Sequence, residues 1–131
     1  MTLDSRLVAF LQEPHVAVPA TRFPSGRLQA TPVWYLYEDG RFLVNTRRDR
    51  VKLRNMQRDP RVALVVLDDD PYRYVHVQGQ VVEFDPAGGA HDIDRLSLRY
   101  LGRPWTYPPG DAPELRVSVF IAPDRVSCFG F

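Results

Sequence analysis

The sequence predicts a mainly β (α+β) domain: a small antiparallel barrel of six or seven strands with two or three helices inserted. Three observations carry this. Short runs of alternating or continuous apolar residues recur along the chain, bounded by Gly, Pro, Asn and Asp. The helical-period segments do not alternate regularly with the strands, as a doubly wound parallel sheet requires. The chain has 131 residues, 44% hydrophobic and 25% charged, enough for one core. No internal repeat or linker divides it, so residues 1–131 are read as a single domain.

Taken in order, "LDSRLVAFLQE" spaces Leu3, Leu7, Phe10 and Leu11 as one helical face, with Asp4 or Ser5 as its cap and Pro14 as its stop. "HVAVPATRF" reads as a strand and "PSG" as a turn. "RLQATPVWYLY" reads as a second strand, joined by the hairpin turn "EDG" to the return strand "RFLVNT". A short helix capped by Asp49 runs to about Arg58, and Pro60 ends it. "RVALVVL" is a near-continuous apolar strand covered on both faces. "YRYVHVQGQVVEF" alternates, with Val75, Val77 and Val81 on one face and Tyr74, His76, Gln78 and Gln80 on the other. "AHDIDRLSLRYLG" is helical, with Ile93, Leu96, Leu98 and Tyr100 as its apolar set and Gly102 after it. A Pro-rich loop follows, and "LRVSVFIAP" and "RVSCFGF" are two closing strands.

A formal net charge of +1 argues against a general nucleic-acid binder. The single cysteine, Cys128, excludes an internal disulfide and reads as a small apolar filler. His15, His76 and His91 are dispersed and make no metal site, and Asp68 to Asp70 read as a solvated turn. No stretch approaches a membrane span and the first residues carry no cleavage signal, so the expected location is cytoplasmic.

The segment "RRDRVKLRNMQRDPR", Arg47 to Arg61, stands apart. It holds Lys52, the only lysine of the chain. A helix start carries partial positive charge and unsatisfied N–H groups, so cations are disfavoured there. Arg47 and Arg48 precede the cap, and Arg50 and Lys52 fall in the first turn. A bound phosphate would resolve that conflict; a merely basic, solvated helix is the competing reading. Arg forks onto two oxygens, whereas Lys delivers a point charge with three donors. Asn45 and Thr46 end the preceding strand, and Thr31 to Trp34 lie on the one before it. Together they outline a slot with a cationic end and a flat aromatic edge, suited to an aromatic ring with a phosphate tail.

"TPVWYLYEDGRFLVNT", "RVKLRNMQRDPRVALVV", "YRYVHVQGQVVEF" and "RYLGRPW" in this order resemble the flavin- and deazaflavin-binding split β-barrels related to pyridoxamine 5′-phosphate oxidase. The similarity spans nearly the whole chain and is greatest to the short subgroup described as coenzyme F420-dependent. It implies a six-stranded split barrel forming a homodimer, with cofactor sites at the subunit interface. It implies Arg50 and Lys52 as phosphate ligands, Val51 as a backbone contact and Thr46 at the same end. Thr31, Pro32, Val33 and Trp34 would line the ring system. Asn55 matches a motif position, as a ligand or as a structural residue, and Trp105 and Tyr107 would reach the partner's site. The implied cofactor is F420, with FMN as the alternative, and the implied reaction is hydride transfer to or from an electron-poor small molecule such as an enone, quinone or tetrapyrrole. A flavin- or F420-binding protein without turnover is the remaining reading. The chain lacks a match to the C-terminal substrate-binding segment of true pyridoxamine phosphate oxidases, so that reaction is not expected. No dedicated acid or base stands out; Tyr74 and His76 are the candidates for protonating a product, with His15 and His91 behind them, and a surface or interface role is the competing reading of His76.

Overall fold

Apolar alternation with period two sets the architecture. The computed structural model of the chain describes residues 2–131. Seven strands form one antiparallel sheet: β1 (Val16–Arg22), β2 (Leu28–Ala30), β3 (Leu36–Glu38), β4 (Arg41–Arg47), β5 (Arg61–Leu67), β6 (Tyr74–Asp85) and β7 (Arg116–Phe129). Their order is β2-β1-β5-β6-β7-β4-β3. Three α-helices are inserted: α1 (Ser5–Leu11), α2 (Val51–Arg58) and α3 (Gly89–Leu101), and a 3-10 turn at Pro113–Leu115 precedes β7. The sheet curls but is not closed by a continuous ladder. Residues 31–35 connect its two end strands, and there Val33 exchanges two backbone hydrogen bonds with Ala17 of β1 (3.1 and 2.7 Å) before the chain enters β3.

The inward faces make one core. Val75, Val77 and Val81 of β6 are buried as their alternation requires, alongside Val62, Leu64 and Val66 of β5 and Val117, Val119 and Ile121 of β7. Phe10 and Leu11 of α1 and Leu53 and Met56 of α2 close the ends. Asp4 caps α1 by accepting from the Arg6 N–H at 2.7 Å, and Gly102 ends α3 in the left-handed region at φ 75°.

Four details differ from expectation. The run from Leu28 to Tyr37 is not one strand: Thr31 to Tyr35 leave the ladder, because Pro32 offers no N–H and the segment crosses toward β1. Asp49 does not cap α2. Its carboxylate is held by Arg47 (2.9 and 2.7 Å), and the cap position belongs to Arg50, whose side chain makes no capping bond. The two closing strands are one, β7, because irregularities in its pairing with β6 near Gly79 and Val82 absorb Pro123 without ending the strand. Leu98 is not part of the buried face of α3; it is 52% exposed.

Candidate functional site

A cavity of about 720 Å³ opens between the 31–35 crossing, the end of β4, the start of α2 and α3. That volume suits a cofactor-sized ligand. Each wall follows from a local sequence feature. The departure of Thr31 to Tyr35 from the sheet brings Thr31, Pro32, Val33 and Trp34 to the rim. The last residues of β4, Asn45 to Arg47, lead directly into α2, so Thr46, Arg50, Val51 and Lys52 share one end. Ile93 and Leu96 of α3 make the apolar floor. That helix approaches β7 closely because of Gly89: a Cβ there would sit 2.0 Å from the Arg116 carbonyl oxygen. The Gly89 carbonyl in turn accepts from Asn45 Nδ2 at 2.9 Å.

Aromatic residues form a braced wall. Trp34 stacks on Tyr100 with centroids 5.3 Å apart and meets Trp105 edge-on at 5.7 Å. Trp105 is fixed twice: its backbone N–H donates to Asp94 Oδ1 at 2.9 Å, and its indole N–H donates to Asp111 Oδ2 at 3.1 Å. The guanidinium of Arg116 lies 5.2 Å from the Trp105 ring centre and pairs with the same Asp111 carboxylate, which is fully buried. Burial pushes the Asp111 carboxyl up, but the Arg116 and Trp105 hydrogen bonds outweigh it and hold the group below its ordinary range.

The charges around the cavity are one-sided. Arg47, Arg50, Lys52 and Arg116 line it, and no acid does. Arg47 is neutralised by Asp49 and Arg116 by Asp111. Among the described residues, no carboxylate lies within 4.0 Å of the Arg50 or Lys52 cationic groups. Lys52 is half-buried; burial first, and the Arg50 charge second, push its ammonium below the ordinary lysine range. Two cations without a close ion pair thus flank a helix start whose own N–H groups lack a side-chain cap.

Of the residues expected at the site, Thr31, Pro32, Val33, Trp34, Asn45, Thr46, Arg50, Val51 and Lys52 line the cavity, and Trp105, expected to reach the partner's site, lines the cavity of its own chain. Asn55 and Tyr107 do not line it. Asn55 is buried beneath α2, where its Nδ2 donates to Thr21 Oγ1 at 3.1 Å. Tyr74 and His76 also lie away from the cavity; Tyr74 stacks on Phe129 and His76 pairs with Val65 and Ser127 on β5 and β7. Cys128 is exposed rather than a core filler. Val16, Phe23, Gln29, Ile93, Leu96 and Arg116 line the cavity without having been expected there, and Arg47 of the basic segment lines it too. The signal for Gln29 is its place two residues before Thr31, on the same face of an extended chain. Among the described residues no group of three His, Cys, Asp or Glu is placed to hold a metal ion, and no helix is long and apolar enough to cross a membrane.

The family model described as pyridoxamine 5′-phosphate oxidase matches residues 3–127. The chain belongs to this family. Within the family fold, a solved structure named F420 reductase is 32% identical, aligns over 91% of this chain and 94% of its own, and superposes with a TM-score of 0.81. A conserved hypothetical protein from Mycobacterium tuberculosis is 26% identical over 98% of this chain and 86% of its own, with a TM-score of 0.72. HutZ, the heme storage protein from Vibrio cholerae, shares the fold at 16% identity, covering 100% and 97% of the two chains with a TM-score of 0.70. The pyridoxamine 5′-phosphate oxidase fold therefore hosts differently named proteins, and the lining of this chain's own cavity must decide among ligands.

Proposed function

We propose that this protein is an oxidoreductase that uses coenzyme F420, with the cofactor's phosphodiester at the start of α2 and its ring system in the slot beside Trp34. The observation that carries the reading is the pair Arg50 and Lys52: two cations without an acidic partner, at an uncapped helix start, at one end of a cavity with aromatic and aliphatic walls. Bound F420 supplies hydride transfer to or from an electron-poor small molecule of enone, quinone or tetrapyrrole type. The chain's own residues bind and orient. Arg50 and Lys52 neutralise phosphate, Thr46 and the Val51 backbone lie at the same end, and Thr31 to Trp34 meet the ring edge. Ile93 and Leu96 keep the floor dry.

The preference for F420 over FMN rests on the 32% identical F420 reductase and on Arg48 and Arg54, two further exposed cations of the segment that suit a longer anionic tail. The same reading has the chain act as a homodimer. Val16 and Val51 at the cavity rim are 40% and 38% exposed, as apolar rims covered by a second subunit would be. The test is turnover. Reduced F420 is mixed with a panel of enones, quinones and tetrapyrroles, with and without protein; acceleration by protein supports the enzyme, and binding without acceleration of any acceptor replaces it with a carrier. Yellow purified protein with flavin absorbance replaces F420 with FMN.

A further inference from the structure

A chain of four side-chain hydrogen bonds runs from the exposed side of α2 to the cavity rim. Arg58 Nη1 donates to Asn55 Oδ1 (3.5 Å), Asn55 Nδ2 donates to Thr21 Oγ1 (3.1 Å), Thr21 Oγ1 donates to Gln29 Oε1 (3.1 Å), and Gln29 Nε2 donates to Thr31 Oγ1 (3.3 Å). Thr21 and Asn55 are 1% and 2% exposed, so neither can trade its partner for water, and Thr21 and Gln29 are direct cross-strand neighbours.

The direction of this chain is forced. A guanidinium has only donors, so the Asn55 oxygen must face Arg58 and its NH₂ must face Thr21. The Thr21 oxygen is then the acceptor of that bond, and its single proton goes to the Gln29 carbonyl. The Gln29 NH₂ is left for Thr31. Each step fixes the next, and the last one leaves Thr31 accepting from Gln29 with its own O–H proton unused at the cavity rim.

We propose that Asn55 and Gln29 are positioning residues that leave the Thr31 O–H free to donate to the ligand, so that the ring edge meeting Thr31 presents an acceptor, a carbonyl oxygen or ring nitrogen lone pair. The proposal rests on the reading of the cavity as a cofactor site. It also explains why Asn55 lies within the basic segment yet lines no part of the cavity: it acts through Thr21 and Gln29.

Gln29→Glu tests the direction. A carboxylate at that position accepts from Thr21 as before but cannot donate to Thr31, so Thr31 turns its proton toward it. Binding of F420 and FMN, and of riboflavin as a phosphate-free probe, is measured by fluorescence from pH 4 to pH 8. The expected result is a roughly five- to tenfold loss at neutral pH that recovers as the new carboxyl protonates. Thr31→Val costs a similar factor in the parent and adds nothing in the Gln29→Glu background, whereas simple charge repulsion would add in full. Unchanged binding in Gln29→Glu, or full additivity, overturns the proposal. Without ligand, NMR of the hydroxyl protons reads the same point. The Thr31 proton exchanges fast in the parent and becomes protected in Gln29→Glu; a Thr31 proton already protected against Gln29 in the parent refutes the direction. Failure of the parent to bind any probe refutes the cofactor reading and leaves this NMR result to judge the relay.

Discussion

Lys52 lies half-buried beside Arg50, and among the described residues no carboxylate comes within 4.0 Å of either cationic group. Both partners of this like-charge pair are donors, and both line one end of the cavity. Without an anion the arrangement carries a repulsion and a desolvation cost. With a phosphate both are relieved.

Lys52→Met is expected to weaken binding of the phosphate-bearing cofactor by about 1–3 kcal/mol, the range of a charge-assisted contact. The apo protein should melt at the same temperature or slightly higher, since an uncompensated charge is removed. Lys52→Arg keeps the charge and changes its shape, and should lose part of the affinity. Titration and thermal melts of the variants check all three.

The depressed Lys52 pKa gives a pH signature. Between its folded value and the ordinary lysine value the unfolded chain binds more protons than the folded one, so stability contributed by this group rises with pH across that window. Ligand binding works in the opposite sense. An anion restores the lysine's proton, so affinity falls as pH climbs through the depressed pKa. In Lys52→Met that limb of the pH profile is expected to flatten, because arginine does not titrate there.

The Asp111 and Arg116 pair is a structural brace rather than an anion site. The side chain of Asp111 is fully buried and that of Arg116 nearly so. Asp111→Ala leaves a buried guanidinium unpaired and is expected to cost about 3–5 kcal/mol of stability. Because the folded carboxyl is held below its ordinary value, its stabilisation is present above the usual carboxylate pKa and is lost as pH falls through the folded one. Denaturant melts at neutral and acid pH check both statements, and the edge-on contact of the chain's two tryptophans gives a near-UV band to follow.

Gly89→Ala should disturb the cavity from a distance. The added methyl meets the Arg116 carbonyl and must push α3 off β7. A cost of about 1–3 kcal/mol is expected, with weaker cofactor binding because Ile93, Leu96 and the Asn45 contact move with the helix. Chemical denaturation and ligand titration on one preparation separate the two effects.

What was legible in the sequence follows from how local each signal is. The β6 valines announce their face by period two, and Gly102 marks the end of α3 because glycine takes the left-handed conformation of a helix terminus at little cost. The basic helix start is visible because it violates a local electrostatic rule. The brace is not legible: Arg116 and Trp105 meet through Asp111, and nothing in a Pro-rich loop says that its acid is buried. Asp49 satisfies the usual capping preference, yet the guanidinium of Arg47, two residues away, holds its carboxylate and the helix starts one residue later, with Arg50 at the cap position. The break at Thr31 to Tyr35 hides inside a run with good strand composition, and only the pairing of Val33 with Ala17 reveals it.

The most direct measurement is a titration of oxidised F420 into the parent protein and Lys52→Met, read by the cofactor's fluorescence, with FMN in parallel. The predicted result is saturable F420 binding at low-micromolar concentration in the parent, weakened about fivefold or more in the variant, with FMN the weaker ligand. Equal F420 affinity in parent and variant, or no binding of either cofactor by the parent, would contradict the account.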